Sequence, residues 1–378
     1  MIHRTVSIGA ISAVLLSLYC ACGREPSTHR EWLETAWRDY RRDYIHPQGY
    51  VLDRTRNDGE VTSEGQGYAL LRAVWMRDRK TFGRVFEWTR RNLRRSDGLH
   101  SWLWSPVNGG EIRDLNSATD ADQEIAFALL LASRAFQEPG YLSHAREILQ
   151  AIRLHSRIPL PAGWFPAAGN WAVADRIVNL SYFVPYAYPY FERADPQGGW
   201  SGVHEAGYDL MRRVLDSPGV LLPPDFMGVR ADGEIDWLAG DNAVSGDFSF
   251  DAMRIYWRVA MDCRLHRSLR ACADPCKTSN ILGLLSRDGA MFTRYQTDGS
   301  ALTGDESLSF YGSLVFALRL HSPAASDAIL SGRLGVEPLR PLLDAQDRYF
   351  DLNWVWFGLA ADIGLIEKRT PTVEQTVP

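Results

Sequence analysis

Three carboxylates stand where their neighbours and spacing could support acid–base chemistry. Glu64 lies in Ser63-Glu64-Gly65-Gln66-Gly67-Tyr68, Asp120 in Ala118-Thr119-Asp120-Ala121-Asp122, and Asp251 in Asp247-Phe248-Ser249-Phe250-Asp251-Ala252-Met253-Arg254. Carboxyls held in opposite protonation states can hand a proton to one group while taking one from another. Each acid also has a structural use. Asp120, with Gln123 three residues on, can cap the helix that follows. Ser63 with Gln66 can do the same, leaving Glu64 as a first-turn acid that favours the helix dipole. Asp251 and Arg254 lie about one turn apart and can pair, while Asp247 can cap their helix. The glycines flanking Gln66 cost backbone entropy at a helix start, which is explained if something must approach the backbone closely, as a sugar ring would.

The elements that must carry these acids are helices. Apolar residues recur at three- and four-residue intervals over 31–44, 67–76, 81–93, 125–136, 141–154, 181–191, 204–215, 250–263, 308–320 and 349–363. Ile125, Ala128, Leu129, Ala132 and Phe136 mark one face of the central segment, and Ala126, Phe127, Leu130 and Leu131 fill the others. Such a helix belongs inside a larger helical assembly. Alternating strand patterns are scarce, and the helices arrive in pairs joined by loops rich in Gly, Pro and aromatics. An all-α toroid follows, with inner helices that open their N-termini or preceding loops onto one face.

Aromatic side chains point to a sugar-binding cleft, because sugars present apolar C–H faces to rings and the chain holds 13 Trp. Trp102 and Trp104 precede the central helix in a stretch that reads as a loop, and Trp164 and Trp171 flank Pro- and Gly-rich turns. The formal net charge is −5, without a basic footprint for nucleic acid. No cofactor motif is evident. Cys263, Cys272 and Cys276 leave two pairings open, Cys272 with Cys276 or Cys263 with Cys272, with one thiol over. No partner Cys-x-x-Cys completes a metal site. The chain begins with His3 and Arg4, an apolar run from Val6 to Tyr19 and Cys20-Ala21-Cys22-Gly23. This pattern is that of an export signal over residues 1–22, with Cys22 as a candidate lipid anchor and the only expected link to a membrane. Residues 23–378 show no linker, so one domain is expected.

Ala118 to Phe136 resembles the signature of glycoside hydrolase family 8, in which Ala-Thr/Ser-Asp-Gly/Ala-Asp is followed by Ile-Ala and a small-apolar helix ending in an aromatic. Ser63 to Tyr68 is similar to that family's Ser-Glu-Gly-x-Gly-Tyr, whose Glu is the proton donor; here it is Glu64. Residues 250–254 resemble its Tyr-Asp-Ala-x-Arg, which makes Asp251 the base that activates water and Arg254 its orienting partner. Phe250 departs from the usual Tyr. Tyr256 stands where many cellulases have Pro, as in the endoglucanases of bacterial cellulose synthase operons. Asn179-Leu180-Ser181-Tyr182 resembles Asn-Pro-Ser-Tyr, which gives Tyr182 a part in holding that water, although Leu180 departs from the Pro.

The resemblance implies an (α/α)6 barrel and an inverting endo-β-1,4-glucanase. Its substrate is a β-glucan, and polysaccharide synthase or export machinery is the candidate partner. Xylan, chitosan or reducing-end cleavage, or glycan binding without catalysis, are the other readings. A helix N-terminus alone would ionise Glu64, so a proton donor there needs desolvation and a negative neighbour, for which Asp120 is the candidate. Trp102 is the first choice for a subsite, followed by Tyr68, Trp171 and Tyr349. Specificity falls to the loops 161–170 and 228–241.

Overall fold

The computed structural model describes residues 27–55, 59–237, 246–345 and 347–376. The signal-like segment with Cys20 and Cys22, and positions 238–241 of the second loop, lie outside the described residues.

Helices dominate. In chain order they are α1 (His29–Asp43), α2 (Ser63–Trp75), α3 (Arg79–Asn92), α4 (Thr119–Ala135), α5 (Gly140–His155), α6 (Tyr188–Ala194), α7 (Trp200–Leu215) and α8 (Arg254–His266). Then come α9 (Leu269–Cys272), α10 (Thr278–Asp288), α11 (Leu308–His321), α12 (Pro323–Gly332), α13 (Val336–Asp344), α14 (Tyr349–Asp362), α15 (Leu365–Arg369) and α16 (Val373–Thr376). Five of them, α2, α4, α8, α11 and α14, are buried on every face through most of their length. Helices such as α1, α3, α5 and α7 bury one stripe and pair with this inner set from outside. A helix with neighbours all round has to be apolar all round, which is the composition seen in α4.

The sixth inner position is filled by residues 180–194, a short 3-10 turn (Leu180–Tyr182) followed by α6. The continuous helix expected over 181–191 does not form. Pro185 falls inside it, and without an N–H it cannot propagate the ladder. The inner ring runs from α2 to α4, to the 180–194 segment, to α8, α11 and α14. It closes where Tyr68 and Trp75 of α2 meet Trp354, Trp356 and Phe357 of α14. The fold is an (α/α)6 barrel.

Glycine decides the closest crossing in the ring. A Cβ on Gly358 would sit 2.0 Å from the Gly312 carbonyl oxygen, and one on Gly312 would sit 2.5 Å from that of Trp354. The backbones of α11 and α14 are therefore in direct contact, which no larger residue permits.

Short strands decorate the rim. β1 (Val61–Thr62), β2 (Leu103–Ser105) and β3 (Glu111–Asp114) form an antiparallel sheet with β2 central. Trp104 is thus a strand residue, packed against Tyr50 and Trp88 in a small satellite core, and not a loop aromatic free for ligand. β4 (Arg157–Leu160) and β5 (Gly163–Pro166) make a hairpin, and β6 (Ile177–Val178), β7 (Met227–Val229) and β8 (Ile235–Asp236) a third sheet. Trp164 on β5 is buried against Trp200. Of the two open cysteine pairings, the structure holds Cys263–Cys272, and Cys276 is a buried thiol next to the Met211 sulfur.

Candidate active site

The inner helices bring N-terminal residues to one end of the barrel, where a groove of about 680 Å³ opens. Its walls include Thr62, Glu64, Gly65 and Tyr68 of the α2 entry, Ala118 before α4, Tyr182, Asp251 and Arg254 at α8, and Tyr349 and Phe350 of α14. Trp102 and Trp171 close it from the loops. Residues separated by almost 290 positions therefore line one space.

Glu64 is the second residue of α2. The helix is capped by Thr62, whose hydroxyl accepts from Gly65 N–H at 3.1 Å, and not by Ser63 with Gln66. The Gln66 side chain is spent on Val51 N–H (2.6 Å) and the Thr89 hydroxyl (2.6 Å). Ser63 N–H donates to the Trp102 carbonyl at 3.0 Å, which ties the helix start to the adjoining loop. That tie aims the Trp102 indole N–H at Glu64 Oε1, 3.1 Å away. Gly65 lines the groove and also packs against protein, while Gly67 makes ordinary contact with a neighbouring helix. A Cβ on Gly65 would lie 2.7 Å from the Tyr349 hydroxyl, and one on Gly67 3.4 Å from Glu124 Cβ.

Asp120 has no exposed surface and does not line the groove. It does not cap α4 in partnership with Gln123, whose amide donates to the carbonyls of Thr119 and Tyr182. One Asp120 oxygen accepts from Ala121 N–H (2.9 Å) and the other from Arg254 Nη1 (2.7 Å) and Arg258 Nη2 (3.4 Å). In the structure its contacts are these guanidiniums and the Ala121 amide, and none of its surface faces the groove.

Arg254 forks between acids. Its Nη1 reaches Asp120 and the Tyr68 hydroxyl (3.3 Å), its Nη2 reaches Asp251 Oδ1, and the guanidinium lies 5.3 Å from the Tyr182 ring centre. The ion pair with Asp251 anticipated from the three-residue spacing is therefore present. Asp247, by contrast, pairs with Arg294 (2.6 Å) instead of capping α8. Below them Arg258 bridges Glu124 (2.5 Å) and the Ser181 carbonyl. Asn179 accepts from Ser181 N–H (2.9 Å) and hydroxyl (2.7 Å), holding the 3-10 turn that carries Tyr182 without the expected proline.

This charge layout separates the carboxyls. Burial, then the Asp120 charge, pushes Glu64 up from 4.5 to about 8, and Arg254 only partly opposes them. Asp251 is also raised, by burial and then Asp120, but here Arg254 opposes most and Arg258 adds to it. Glu64 has no cation within ion-pair distance among the described residues, whereas Asp251 is held by one. Its side chain keeps 35 % of its surface open, against none for Asp120.

All three carboxylates lie within residues 3–282, which match the sequence model of glycosyl hydrolases family 8. The chain belongs to that family.

An endoglucanase of Cellulomonas uda is 32 % identical over 235 residues, 60 % of this chain and 63 % of that protein. One of Xanthomonas axonopodis pv. citri is 32 % identical over 270 residues, 69 % of this chain and 68 % of that one. The chain thus spans less than two thirds of the Cellulomonas protein it matches. In three dimensions a β-1,3-1,4-glucanase of Paenibacillus sp. X4 superposes with a TM-score of 0.76 at 18 % identity, covering 89 % of this chain and 93 % of that one. Tyr349 and Phe350 fall outside the family match, so their place in the groove comes from the fold alone.

The groove gathers every substrate-binding candidate: Tyr68, Trp102, Trp171, Tyr182, Arg254 and Tyr349. Trp171 is 37 % exposed, and the loop behind it is fixed by Asn170, which exchanges hydrogen bonds with Ser117. Tyr349 presents its ring, while its hydroxyl pairs with that of Tyr40 at 3.2 Å. Phe250, noted in the sequence only as a departure from Tyr, is 42 % exposed and completes an apolar floor with Phe226 and Phe350, which the sequence did not single out. Also missed were Glu124, Arg258 and Asp225. Burial and the Asp120 charge raise Glu124 to about 7 against the pull of Arg258; burial and the Asp251 charge raise Asp225 to about 7. Arg258, one turn beyond Arg254 on the same face, was the one legible signal among them.

Proposed function

We propose that this protein is an inverting endo-β-1,4-glucanase in which Glu64 is the general acid and Asp251 the general base. The observation that carries the reading is the pair of carboxyls in one groove with different partners: both are raised by burial and by Asp120, but Asp251 alone of the two is paired with a cation. Glu64 is desolvated and faces a buried negative charge, so it holds a proton near neutrality. Asp251 is clasped by Arg254 and open to water.

In the reaction Glu64 donates its proton to the glycosidic oxygen as the bond to the anomeric carbon breaks. Asp251 takes a proton from a water that attacks that carbon from the opposite face, with inversion. Trp102 donates to Glu64 Oε1, so the proton is carried on Oε2, which the Ser63 hydroxyl approaches to 3.3 Å, and the Trp102 ring forms part of the wall on which sugar stacks. Arg254 orients Asp251, and Tyr182 stands over the guanidinium where the water is to be held.

The substrate reading rests on the endoglucanases among the relatives and on a floor of Trp, Tyr and Phe suited to neutral glycan faces. The mixed-linkage glucanase with the same fold makes β-1,3-1,4-glucan a second substrate worth testing. Export is part of the proposal, supported by the signal-like start and by a disulfide, which persists in oxidising compartments.

Reducing-end release by the wild type and by Glu64→Gln, on carboxymethylcellulose, mixed-linkage glucan, xylan and chitosan, tests the reading. Release by wild type alone, fastest on a β-1,4-glucan, is expected. Binding of these glycans with no release from any of them refutes it in favour of a glycan-binding protein.

A further inference from the structure

The turn that presents Asp251 is held by a side chain from another part of the chain. Helix α8 has no capping side chain of its own at Met253. Asp225, just after Pro223-Pro224 and almost fully buried, supplies the missing acceptor. One oxygen, Oδ1, accepts from both Ser249 N–H (2.9 Å) and Ala252 N–H (2.7 Å), while Oδ2 accepts from the Ser249 hydroxyl. Asp225 N–H in turn donates to the Asp247 carbonyl at 2.6 Å. Two amides three residues apart converge on a single oxygen, so the backbone between them, Phe250 and Asp251, is looped outward into the groove.

The turn is anchored upstream as well. Phe248 exchanges backbone hydrogen bonds with Tyr295 (2.9 and 3.0 Å), and Asp247 pairs with Arg294. Those contacts end at Phe248. The Phe250 ring leans on Phe310 and Phe350, and Arg254 holds Asp251 from the helix side, gripping its carboxylate and donating to its carbonyl from Nε (3.1 Å) and backbone N–H (3.3 Å); the amides on either side of Phe250 and Asp251 are tied by Asp225. A carboxylate that must aim water at one carbon needs placement to within about 1 Å, because larger errors cost on the order of 10²-fold in rate. Asp225 itself does not line the groove and touches no position that substrate can reach.

We infer that Asp225 is a positioning residue for the general base: its carboxylate clamps the 249–252 turn across the two amides and thereby fixes the direction of Asp251. The inference rests on the reading of Asp251 as the base.

Two substitutions separate the clamp from mere packing. Asp225→Asn keeps a carbonyl oxygen for both amides, whereas Asp225→Ala removes it. On cellohexaose, Asp225→Ala is expected to lose about 30- to 100-fold in kcat with KM within about threefold, and Asp225→Asn to stay within about fivefold of wild type. Because the fault lies on the side of the attacking water, azide should restore Asp225→Ala turnover at least about tenfold. Its terminal nitrogen bonds to the anomeric carbon as the glycosidic C–O bond breaks and Glu64 protonates the leaving oxygen, so the product is a glycosyl azide. Asp251→Ala is the control and should show the same rescue.

Wild-type kcat in Asp225→Ala overturns the inference, as does a loss that azide does not relieve in a variant that still binds cellohexaose. If Asp225→Ala does not fold, Asp225→Asn decides: a kcat loss beyond about 30-fold in that variant means the acceptor oxygen is not what matters. An Asp251→Ala variant that keeps its activity without azide instead removes the base assignment beneath the inference, whatever Asp225 does.

Discussion

Replacing Glu64 with Gln should make the protein more stable, and by an amount that depends on pH. In the unfolded chain Glu64 ionises near 4.5; in the folded protein it does so at about 8. A raised folded value means that the folded state keeps a proton the unfolded state has lost. Below about pH 4.5 both states are protonated, and Glu and Gln are equivalent in charge. Between about 4.5 and 8 the wild type loses stability relative to Gln with each pH unit, and above about 8 the gap stops widening. The full span corresponds to about 5 kcal/mol at ~1.4 kcal/mol per pH unit. Water in the open groove and the neighbouring charges share that cost, so about 2 kcal/mol is the working figure. For a chain of this size that is about 3 °C in Tm. Gln preserves the acceptor for the Trp102 indole, so the comparison isolates the proton. Thermal unfolding of both proteins at pH 4, 6, 8 and 9 should give curves that coincide at pH 4 and separate progressively to pH 8. A separation that does not change with pH refutes the reasoning, because Glu64 then has an ordinary affinity for its proton. A wild type that gains on Gln with rising pH refutes it more strongly, because Glu64 is then stabilised as the anion.

Asp120→Asn removes the second-largest influence raising Glu64 and frees Arg254 and Arg258 from their shared partner. The alkaline limb of the pH–rate profile should move down by about one pH unit, with kcat lower by about 10²-fold; an unmoved limb contradicts the field argument. Gly65→Ala drives a methyl against the Tyr349 hydroxyl, 2.7 Å away. The overpacking should cost about 1–2 kcal/mol in denaturant unfolding and raise KM several-fold. Unchanged values for both would mean that Tyr349 yields freely. Reducing Cys263–Cys272, which closes a loop nine residues apart in sequence, should cost about 2–3 kcal/mol, read as a Tm shift with and without reductant. Alkylation of the denatured, unreduced protein should label Cys276 and leave both bridge cysteines unlabelled.

Much of the site was legible because helix starts carry local signatures. The string from Ala118 to Phe136 announces a buried helix by its lack of a polar face, and a helix with no polar face must be surrounded. The three-residue step from Asp251 to Arg254 announces an ion pair, since that step is one helical turn. These are short-range facts, and neighbours in sequence suffice to state them. What each side chain does at long range was not legible. Asp120 could cap α4 on local evidence; the tertiary structure instead gives it two guanidiniums from α8, and a charged donor outweighs a backbone amide. The glycines mark a close approach, but only the packed barrel shows that at Gly65 one visitor is the Tyr349 hydroxyl. Trp104 and Trp102 differ by two positions, and strand pairing sends one into a satellite core and the other to Glu64. The protonation of Glu64 belongs wholly to the fold, because desolvation and the field of Asp120 exist only once residues 56 positions apart meet at one end of the barrel, Glu64 in the groove and Asp120 buried beneath it. The types and local geometry of the acids were thus determined by the sequence, and their charge states by the tertiary structure, since a carboxyl's proton affinity is set by everything within a few ångströms and not by its neighbours along the chain.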